Sequence, residues 1–363
     1  MTTRVQVLIG TRKGAFVLES DAARKEWAVR GPYLPGRVVM HMAFDRRSGI
    51  LFAATGDPWF GTRVYRSRDH GHTWDEPVGG PAFPADSGKN MEKVWHVEPG
   101  RPDEPGVIYA GVEPAALFKS SDDGESWVWV EGLNQHPTAE QWHPGAGGLC
   151  LHTVVLDPLD RDRVSVAISA AGVFQTADGG ATWNTSNTGT RVNFMPDQPP
   201  MYAEWGQCVH KVVQHPSTPD RMYQQNHCGV YRSDDKGAHW TEITEGLPSD
   251  WGFPIAVHPH DPDTIYVCPG ISGYQHWAPG AQLGVYRSSD RGATWARLDK
   301  GLPQQDAYVI SLREGMAMDQ LDPAGIYLGT NTGQLYYSPD AGSSWSLATA
   351  VLPPILSVGV VTL

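Results

Sequence analysis

Two neighbouring stretches of the sequence carry the same Cys-x-His pattern, Cys150-Leu151-His152 and Cys208-Val209-His210. Residues i and i+2 of a strand point to the same side, so each pair would present a thiol and an imidazole together. Such groups bind zinc, copper or another divalent ion, with a carboxylate or water completing the site. The spacing matches none of the compact zinc motifs, and buried cysteine is commonly an inert small side chain. If a metal ion is a cofactor, the sequence favours a site of His152, His210 and Glu314 over a thiolate site.

The strands that must position these residues belong to a sequence repeat. The pattern Ser/Thr-x-Asp-x-Gly-x-Thr/Ser-Trp occurs six times, and an eroded seventh copy runs from Ser20 to Trp27. The clear copies are Ser67–Trp74, Ser120–Trp127, Thr176–Trp183, Ser233–Trp240 (with His239 in the hydroxyl position), Ser288–Trp295 and Ser338–Trp345. Successive tryptophans lie 47 to 57 residues apart. This period predicts a propeller blade of four short strands.

Each copy has the chemistry of a tight hairpin turn. The aspartate can accept hydrogen bonds from the turn backbone, and the glycine can supply a positive φ. The tryptophan would begin the next strand and bury its ring between sheets. The repeat resembles the Asp-box (BNR) propellers, which include sialidases, xyloglucanases, sortilin-type receptors and photosystem II assembly factors. That resemblance covers essentially the whole chain, and it implies that the boxes stabilise hairpins away from the ligand site.

We therefore predict an all-β fold, a seven-bladed β-propeller of four-stranded antiparallel blades, as a single domain over residues 1–363. The segment Val5–Thr11 matches the second strand of later blades, so blade 1 lacks its innermost strand. The apolar segment Ile355–Val361 has no blade left to begin. We expect it to complete blade 1 and close the ring, which would leave no exposed sheet edge.

Composition restricts the partners. The formal net charge of −12 argues against nucleic acid or an anionic membrane surface as a partner, since both require a basic patch. No apolar run approaches the length of a membrane span, and the first residues do not resemble a signal peptide. The default expectation is a cytoplasmic protein whose four cysteines are reduced.

The sequence also predicts the register of one hairpin. If His215 pairs with Arg221 across this hairpin, Cys208 falls opposite Cys228 and His210 opposite Asn226.

The long insertions fall on one face of the predicted ring, on the loops between strands B and C and between blades. Long loops in a compact fold are usually functional. Their aromatic rings and nearby polar groups could bind a sugar, a flat ring or a peptide, or could instead pack the loops against the scaffold. The candidate ligand-binding residues on these loops and at the adjoining strand ends are Asp57, Trp59, Glu113, Trp142, His143, Trp205, Asn226, His227 and Trp277.

Aligning the innermost strands predicts a column of side chains at the channel mouth on the same face. The column contains Lys93, His152, His210, Phe253 and Glu314, with Arg313 beside it. Five of these residues are our candidate catalytic residues, Lys93, His152, His210, Arg313 and Glu314. The alternative is a solvated channel lining without chemistry.

These residues leave several functions open. The arginine triad and Tyr/Glu pair of sialidases cannot be assembled here, so we reject that chemistry. A glycoside hydrolase needs two carboxyl groups flanking the bond, and no motif selects a pair. A metal-dependent hydrolase or lyase could use His152 or His210 as base, with Arg313 or Lys93 neutralising a developing oxyanion. A non-catalytic propeller that binds a protein or peptide is the remaining alternative. The loop aromatics favour a carbohydrate or another small molecule as the ligand.

Overall fold

The chain folds into seven antiparallel sheets arranged as the blades of a propeller. The computed structural model describes residues 3–57, 59–77, 79–193 and 201–363, so parts of three long loops, at 58, 78 and 194–200, lie outside the described residues. The strands of the first half are β1 (Arg4–Thr11), β2 (Gly14–Asp21), β3 (Ala28–Tyr33), β4 (Val39–Asp45), β5 (Ile50–Thr55), β6 (Val64–Ser67), β7 (Lys93–Pro99), β8 (Ile108–Glu113), β9 (Ala116–Ser120), β10 (Val128–Trp129), β11 (Leu151–Leu156), β12 (Val164–Ile168), β13 (Gly172–Thr176) and β14 (Asn184–Thr185).

The second half continues in the same way. Its strands are β15 (Val209–His215), β16 (Thr218–Asn226), β17 (Gly229–Ser233), β18 (Thr241–Glu242), β19 (Gly252–His258), β20 (Asp261–Pro269), β21 (Val285–Ser288), β22 (Ala296–Leu298), β23 (Met316–Met318), β24 (Ile326–Gly329), β25 (Leu335–Ser338), β26 (Ser346–Thr349) and β27 (Ile355–Thr362). Helical structure in the described residues is confined to α1 (Glu131–Asn134) and two 3-10 turns, Ala139–Gln141 and Pro279–Ala281. None of these helices is both long and apolar enough to span a membrane.

The sheets divide the chain into blades of consecutive strands. Blade 1 is β27-β1-β2-β3, blade 2 is β4 to β6, and blades 3 to 7 take four strands each from β7 to β26. The predicted seven-bladed propeller and the closure by the C-terminal strand are therefore confirmed. In blade 2 the outer strand is reduced to a single bridge between Arg66 and Asp75. Pro77 follows two residues later and cannot donate a ladder hydrogen bond, which accounts for the short pairing.

The repeated turns share one set of hydrogen bonds. In the copy of blade 6, the Ser288 hydroxyl donates to Asp290 Oδ1 at 2.7 Å and accepts from the Gly292 amide at 2.7 Å. Asp290 also accepts from the amide and the hydroxyl of Thr294, at 2.9 and 2.6 Å. The other five clear copies repeat these bonds, and His239 Nδ1 replaces the hydroxyl in blade 5. Gly292 has φ 88°, as the turn requires.

The box tryptophans pack between neighbouring blades. Trp240 of blade 5 is buried and donates from Nε1 to Ser186 O, just after the outer strand of blade 4, at 2.8 Å. Trp27 of blade 1 makes edge contacts with Tyr327 and Tyr337 of blade 7, at centroid distances of 5.6 and 5.4 Å. Because these rings fill the spaces between sheets, the apolar core runs around the ring and leaves the axis to other side chains.

Candidate functional site

The innermost strands are bent by β-bulges near the channel mouth. In blades 2 to 5 the register shifts between Val39 and His41, Val94 and His96, Leu151 and Thr153, and Val209 and Lys211. A comparable shift lies between Gly252 and Ile255 in blade 6. A bulge inserts one residue and re-aims its side chain. The inserted residues of four blades, Met40, Trp95, His152 and Phe253, all line one cavity at this end of the channel.

This cavity opens on the face that bears the long loops and has a volume of about 600 Å³. Its walls come from the ends of inner strands and from loops of the B–C and inter-blade type. Besides the four inserted residues, it is lined by Arg12, Val38, Gly56, Lys93, Gly147, His276, Leu312, Arg313, Glu314, Asn331, Pro354 and Leu356. Three of these side chains are cations and one is a carboxylate, so the described lining has an excess of positive charge although the whole chain is acidic.

Arg313 lies between aromatic rings in this cavity. Its guanidinium carbon is 5.6 Å from the centroid of the Trp95 ring and 5.3 Å from that of Phe253. Nε is buried without a hydrogen-bond partner, and one terminal nitrogen lies 3.4 Å from the Ser169 hydroxyl. Among the described residues no carboxylate forms an ion pair with Arg313. Its charge is therefore not neutralised by a carboxylate of the described residues, and a guanidinium in this state favours an anionic ligand.

Lys93 is anchored by a carboxylate. Its ammonium lies 2.6 Å from Glu113 Oε2, and the same oxygen accepts a hydrogen bond from Trp95 Nε1 at 2.7 Å. The ammonium is also 5.7 Å from the Trp95 ring centroid. The sequence placed Glu113 and Lys93 separately at this face, and the structure brings them together as one pair.

A second layer of polar residues lies deeper in the channel. Glu314 forms an ion pair with Lys211, and its two oxygens lie 3.8 Å from His41 Nε2 and 3.7 Å from His96 Nδ1. The His41 and His96 rings are stacked, with centroids 4.3 Å apart. Glu314 and both histidines are buried, Glu314 Oε1 has no hydrogen-bond partner, and His96 Nε2 lies 3.3 Å from Glu98 Oε2. This cluster of four residues is called the channel cluster below.

The charges of the channel cluster control its titration. Burial raises the pKa of Glu314, but Lys211, His41 and His96 more than offset that effect, so the pKa lies at about 2. Burial and the neighbouring His96 lower the pKa of His41 to about 3. At neutral pH, Glu314 is therefore an ionised carboxylate beside a neutral His41 imidazole. An ionised carboxylate can act as a base or nucleophile but not as an acid.

The channel cluster lies between two cavities. Glu314 lines the cavity on the long-loop face, whereas Lys211 lines a cavity of about 440 Å³ at the opposite end of the channel. That second cavity is bounded by residues of the A–B turns, such as Pro158, Pro216 and Pro259. The ion pair of Lys211 and Glu314 thus joins a residue in the wall of one cavity to a residue in the wall of the other.

The two histidines predicted as catalytic residues have backbone partners. His152 Nε2 lies 2.9 Å from Val209 O of the next blade, and Nδ1 lies 3.0 Å from the Thr153 hydroxyl. His210 Nδ1 bonds Gly252 O, again of the next blade. Burial, and next the charge of Arg313, lower the pKa of both residues well below the ordinary histidine value. Both imidazoles thus link adjacent inner strands, and the described donor groups do not unite them with Glu314.

The loop residues divide into exposed and packed side chains. Trp59 is 88% exposed, and Asp57 caps its loop by accepting from the Trp59 and Phe60 amides at 2.8 and 3.1 Å. His143 is exposed beside the buried Trp142, which donates from Nε1 to the Thr138 hydroxyl. The half-buried rings are those of Trp205, which packs against the same core as Trp142, and Trp277, which contacts Tyr308 edge-on.

The strand-end residues Asn226 and His227 lie in blade 5. Asn226 is fully buried and pairs with Val209, so the predicted pairing of Asn226 with His210 is wrong. The predicted register holds from Gln214 to Lys211, and the bulge at His210 then shifts it by one residue. As a result His227 lies opposite Cys208, with its amide donating to Cys208 O at 2.9 Å, so the predicted position of Cys228 opposite Cys208 is also wrong.

Sequence reasoning missed His41, Trp95 and Lys211. His41 and His96 occupy the same position in blades 2 and 3, one residue after an inserted residue. The sequence signal for these two residues was a histidine between apolar residues in the innermost strands of adjacent blades, in Met40-His41-Met42 and in Trp95-His96-Val97.

Comparison with known proteins identifies two groups of relatives, and no family model matches the chain. A xyloglucanase of Hypocrea jecorina is 30% identical over 157 residues, which cover 39% of this chain and 18% of that protein. A xyloglucanase of a Paenibacillus species is 26% identical over 65% of this chain and 23% of its own length. The photosystem II assembly lipoprotein Ycf48 of a Synechococcus strain is 27% identical over 32% of this chain and 29% of its own length. The chain spans less than a third of the length of each of these relatives.

Solved structures with a similar fold include members of both groups. An ancestral GH74 enzyme superposes with a TM-score of 0.58 at 18% identity, covering 85% of this chain and 38% of the enzyme. YCF48 from Cyanidioschyzon merolae gives 0.59 at 14% identity, covering 89% and 88%. YCF48 bound to D1 peptide gives 0.54 at 14% identity, covering 85% and 81%. At these identities the likeness shows the fold, and together with the sequence relatives it fits the predicted propeller superfamily.

Proposed function

We propose that the protein is a carbohydrate-active enzyme whose substrate is a sugar with an acidic group, bound in the long-loop cavity. The observation that carries this proposal is the Arg313 guanidinium, which lies between Trp95 and Phe253 without a carboxylate partner among the described residues. Guanidinium groups bind carboxylates and phosphates through two parallel hydrogen bonds. The adjacent rings offer apolar faces to the carbons of a sugar.

The carbohydrate class is supported by the xyloglucanase relatives and by the cavity's composition. Its volume of about 600 Å³ is within the usual range for small-molecule sites. Arg12 adds a second positive charge to the lining of this cavity, whereas the charge of Lys93 is balanced by Glu113. This excess of positive charge favours an acidic sugar over a neutral one.

The residues available for chemistry are two carboxylates at different depths. Glu314 is ionised and has one oxygen without a partner, so it fits a base or a nucleophile. Glu113 is the second carboxylate, held by Lys93 and Trp95. Hydrolysis of a glycosidic bond is the reaction class that we propose, with Glu314 activating water or attacking the anomeric carbon and the Lys93–Glu113 pair donating the proton that the leaving oxygen requires. His152 is not assigned the role of base, because its two ring nitrogens already have protein partners.

Binding measurements on matched sugars test the proposal. Calorimetric titration with glucuronate and with glucose should show binding of the acidic sugar only. Arg313→Gln should weaken glucuronate binding by about tenfold to a hundredfold, the scale of one charged hydrogen bond. The control is Arg161→Gln, since that arginine lies exposed on an A–B turn at the opposite face. Equal binding of both sugars, or no effect of Arg313→Gln, would contradict the proposal.

Turnover is tested separately with oligosaccharides that contain uronic acids. Release of reducing ends without an unsaturated product indicates hydrolysis, and Glu314→Gln should abolish it. Formation of an unsaturated uronate would instead support elimination.

A second candidate function is peptide binding, favoured by exposed aromatic side chains on the same face. Tyr274 is 99% exposed and Trp59 88% exposed. Such rings are typical anchors of protein interfaces, and a YCF48 structure with a bound peptide shares the fold. Peptide binding that is lost in the variants Trp59→Ala and Tyr274→Ala, but retained in Arg313→Gln, would support this function over the binding of an acidic sugar.

A further inference from the structure

A group of three metal-binding side chains lies in blade 5, apart from the channel cluster. Cys208, His210 and His227 each offer one donor atom, and the three atoms all lie within 4.8 Å of one another. Cys208 precedes β15, His210 is its inserted residue, and His227 lies in the turn between β16 and β17. The bond from the His227 amide to Cys208 O fixes the two segments side by side.

The distance within this group matches a tetrahedral ion. Cys208 Sγ and His210 Nε2 are 3.6 Å apart. Zinc binds sulfur at about 2.3 Å and nitrogen at about 2.0–2.1 Å, so a tetrahedral angle places the two donors about 3.6 Å apart. The His210 and His227 rings are inclined by 68°, with centroids 5.7 Å apart. Rings inclined in this way can direct one nitrogen each to a common point.

The hydrogen bond of His210 leaves the nitrogen that faces Cys208 unprotonated. A carbonyl oxygen only accepts, so the bond to Gly252 O places the ring proton on Nδ1. The neutral imidazole then presents the lone pair of Nε2 toward Cys208. Histidine ligands of metals are commonly oriented by such a bond from the other ring nitrogen to a backbone carbonyl.

Apolar rings surround this group. Trp251 and Phe253 contact the His210 ring, at centroid distances of 5.9 and 4.7 Å. Trp251 also stacks on His276, a residue of the long-loop cavity wall, at 5.3 Å. The group therefore lies beside the cavity, in a setting that limits access of water to the donors.

The channel cluster is the competing place for a metal ion. His41, His96 and Glu314 also lie within 4.8 Å of one another. Their geometry is less suitable, because the two rings are stacked with an angle of only 29° between their planes and the in-plane lone pairs of such rings do not converge. Lys211 also occupies one Glu314 oxygen and would repel a cation.

We propose that Cys208, His210 and His227 bind one divalent metal ion of the zinc class. Binding deprotonates the Cys208 thiol and releases its proton to solvent. Three protein ligands are the number found in catalytic zinc sites, which keep a fourth position for water or substrate. The proposal does not depend on the acidic-sugar function, and it differs from the sequence-based expectation of His152, His210 and Glu314.

Titration with cobalt tests this site directly. Metal-free protein is titrated with Co²⁺ while the absorption spectrum is recorded, and Zn²⁺ is then added. We expect one Co²⁺ per chain, a sulfur-to-cobalt charge-transfer band, the intense visible bands of tetrahedral Co²⁺, and loss of all bands when Zn²⁺ displaces cobalt. Cys208→Ser should remove the charge-transfer band, and His227→Gln should weaken Co²⁺ binding by at least about tenfold, since even outer-shell changes act on this scale.

The matched control is Cys228→Ser. Cys228 is another buried thiol, next to His227 in sequence, but it is outside the donor group. This variant should keep the charge-transfer band, and near-ultraviolet circular dichroism should show that all three variants are folded. The proposal is overturned if the parent protein shows no such band, or if the band survives in Cys208→Ser. It is equally overturned if Co²⁺ binds without the band and is lost in His41→Asn, because the ion would then lie in the channel cluster.

Discussion

Replacing Lys211 with methionine tests how the buried charge of Glu314 is stabilised. The pKa of Glu314 lies about 2 in the folded protein and ordinarily at 4.5. That difference corresponds to roughly 3 kcal/mol of folding free energy at neutral pH. Methionine keeps much of the side-chain volume but removes the cation, so the variant buries an unpaired carboxylate. We expect the free energy of unfolding at pH 7 to fall by about 3–5 kcal/mol.

The stability lost in Lys211→Met should be larger at pH 7 than at pH 4. A carboxyl group with a lowered folded pKa stabilises the protein above its unfolded pKa, and this stabilisation is lost as pH falls through the folded value. For Glu314 the window runs from 4.5 down to about 2. Without Lys211 the pKa should rise, because burial is the largest single influence on it. At pH 4 the variant's carboxyl group is then protonated, and the difference from the parent should narrow.

Urea unfolding followed by tryptophan fluorescence at pH 7 and pH 4 measures both quantities. The control is the double variant Lys211→Met with Glu314→Gln, which has neither charge and should regain most of the lost stability. A loss below about 1 kcal/mol at pH 7, or the same loss at both pH values, would refute the assignment of Lys211 as the partner that keeps Glu314 ionised.

Two further predictions concern the scaffold. Asp340→Ala should lower the free energy of unfolding by about 1–3 kcal/mol, because Asp340 accepts three hydrogen bonds that hold its turn. Calorimetry should show no such loss for the control variant Ser343→Ala. An unchanged melting temperature in Asp340→Ala would contradict the stabilising role of the turn. Deleting 355–363 should prevent cooperative unfolding, since β1 would lose its ladder with β27; a sharp melting transition in the deletion variant would show that the ring does not need this strand.

Much of the fold could be predicted because its signals are local. The box residues form the same turn wherever they occur, as Ser288 and Asp290 illustrate, and their period sets the length of a blade. The closing strand could be predicted because a first blade without an inner strand leaves a gap that only the last apolar segment can fill.

The candidate site was harder to predict because it depends on bulges. The predicted register of β15 with β16 holds only from Gln214 to Lys211: His215 pairs with Thr218 and not with Arg221 at the turn, and the inserted His210 moves Asn226 and His227 by one position. A bulge reflects how a strand bends toward the axis, which no local motif encodes. The sequence alignment, which did not include the bulges, predicted that Glu314 and His152 lie at the same depth in the channel. In the structure Glu314 contacts Lys211 and His41 deeper in the channel.

The ion pair of Lys211 and Glu314 also bears on how a ligand could reach the channel axis. Within the part of the chain that the structure describes, this contact joins the wall of one channel cavity to the wall of the other. A ligand that passed along that line would have to break an ion pair between two largely buried side chains, which is costly. The contact therefore predicts that a ligand of the long-loop cavity enters and leaves by the same opening.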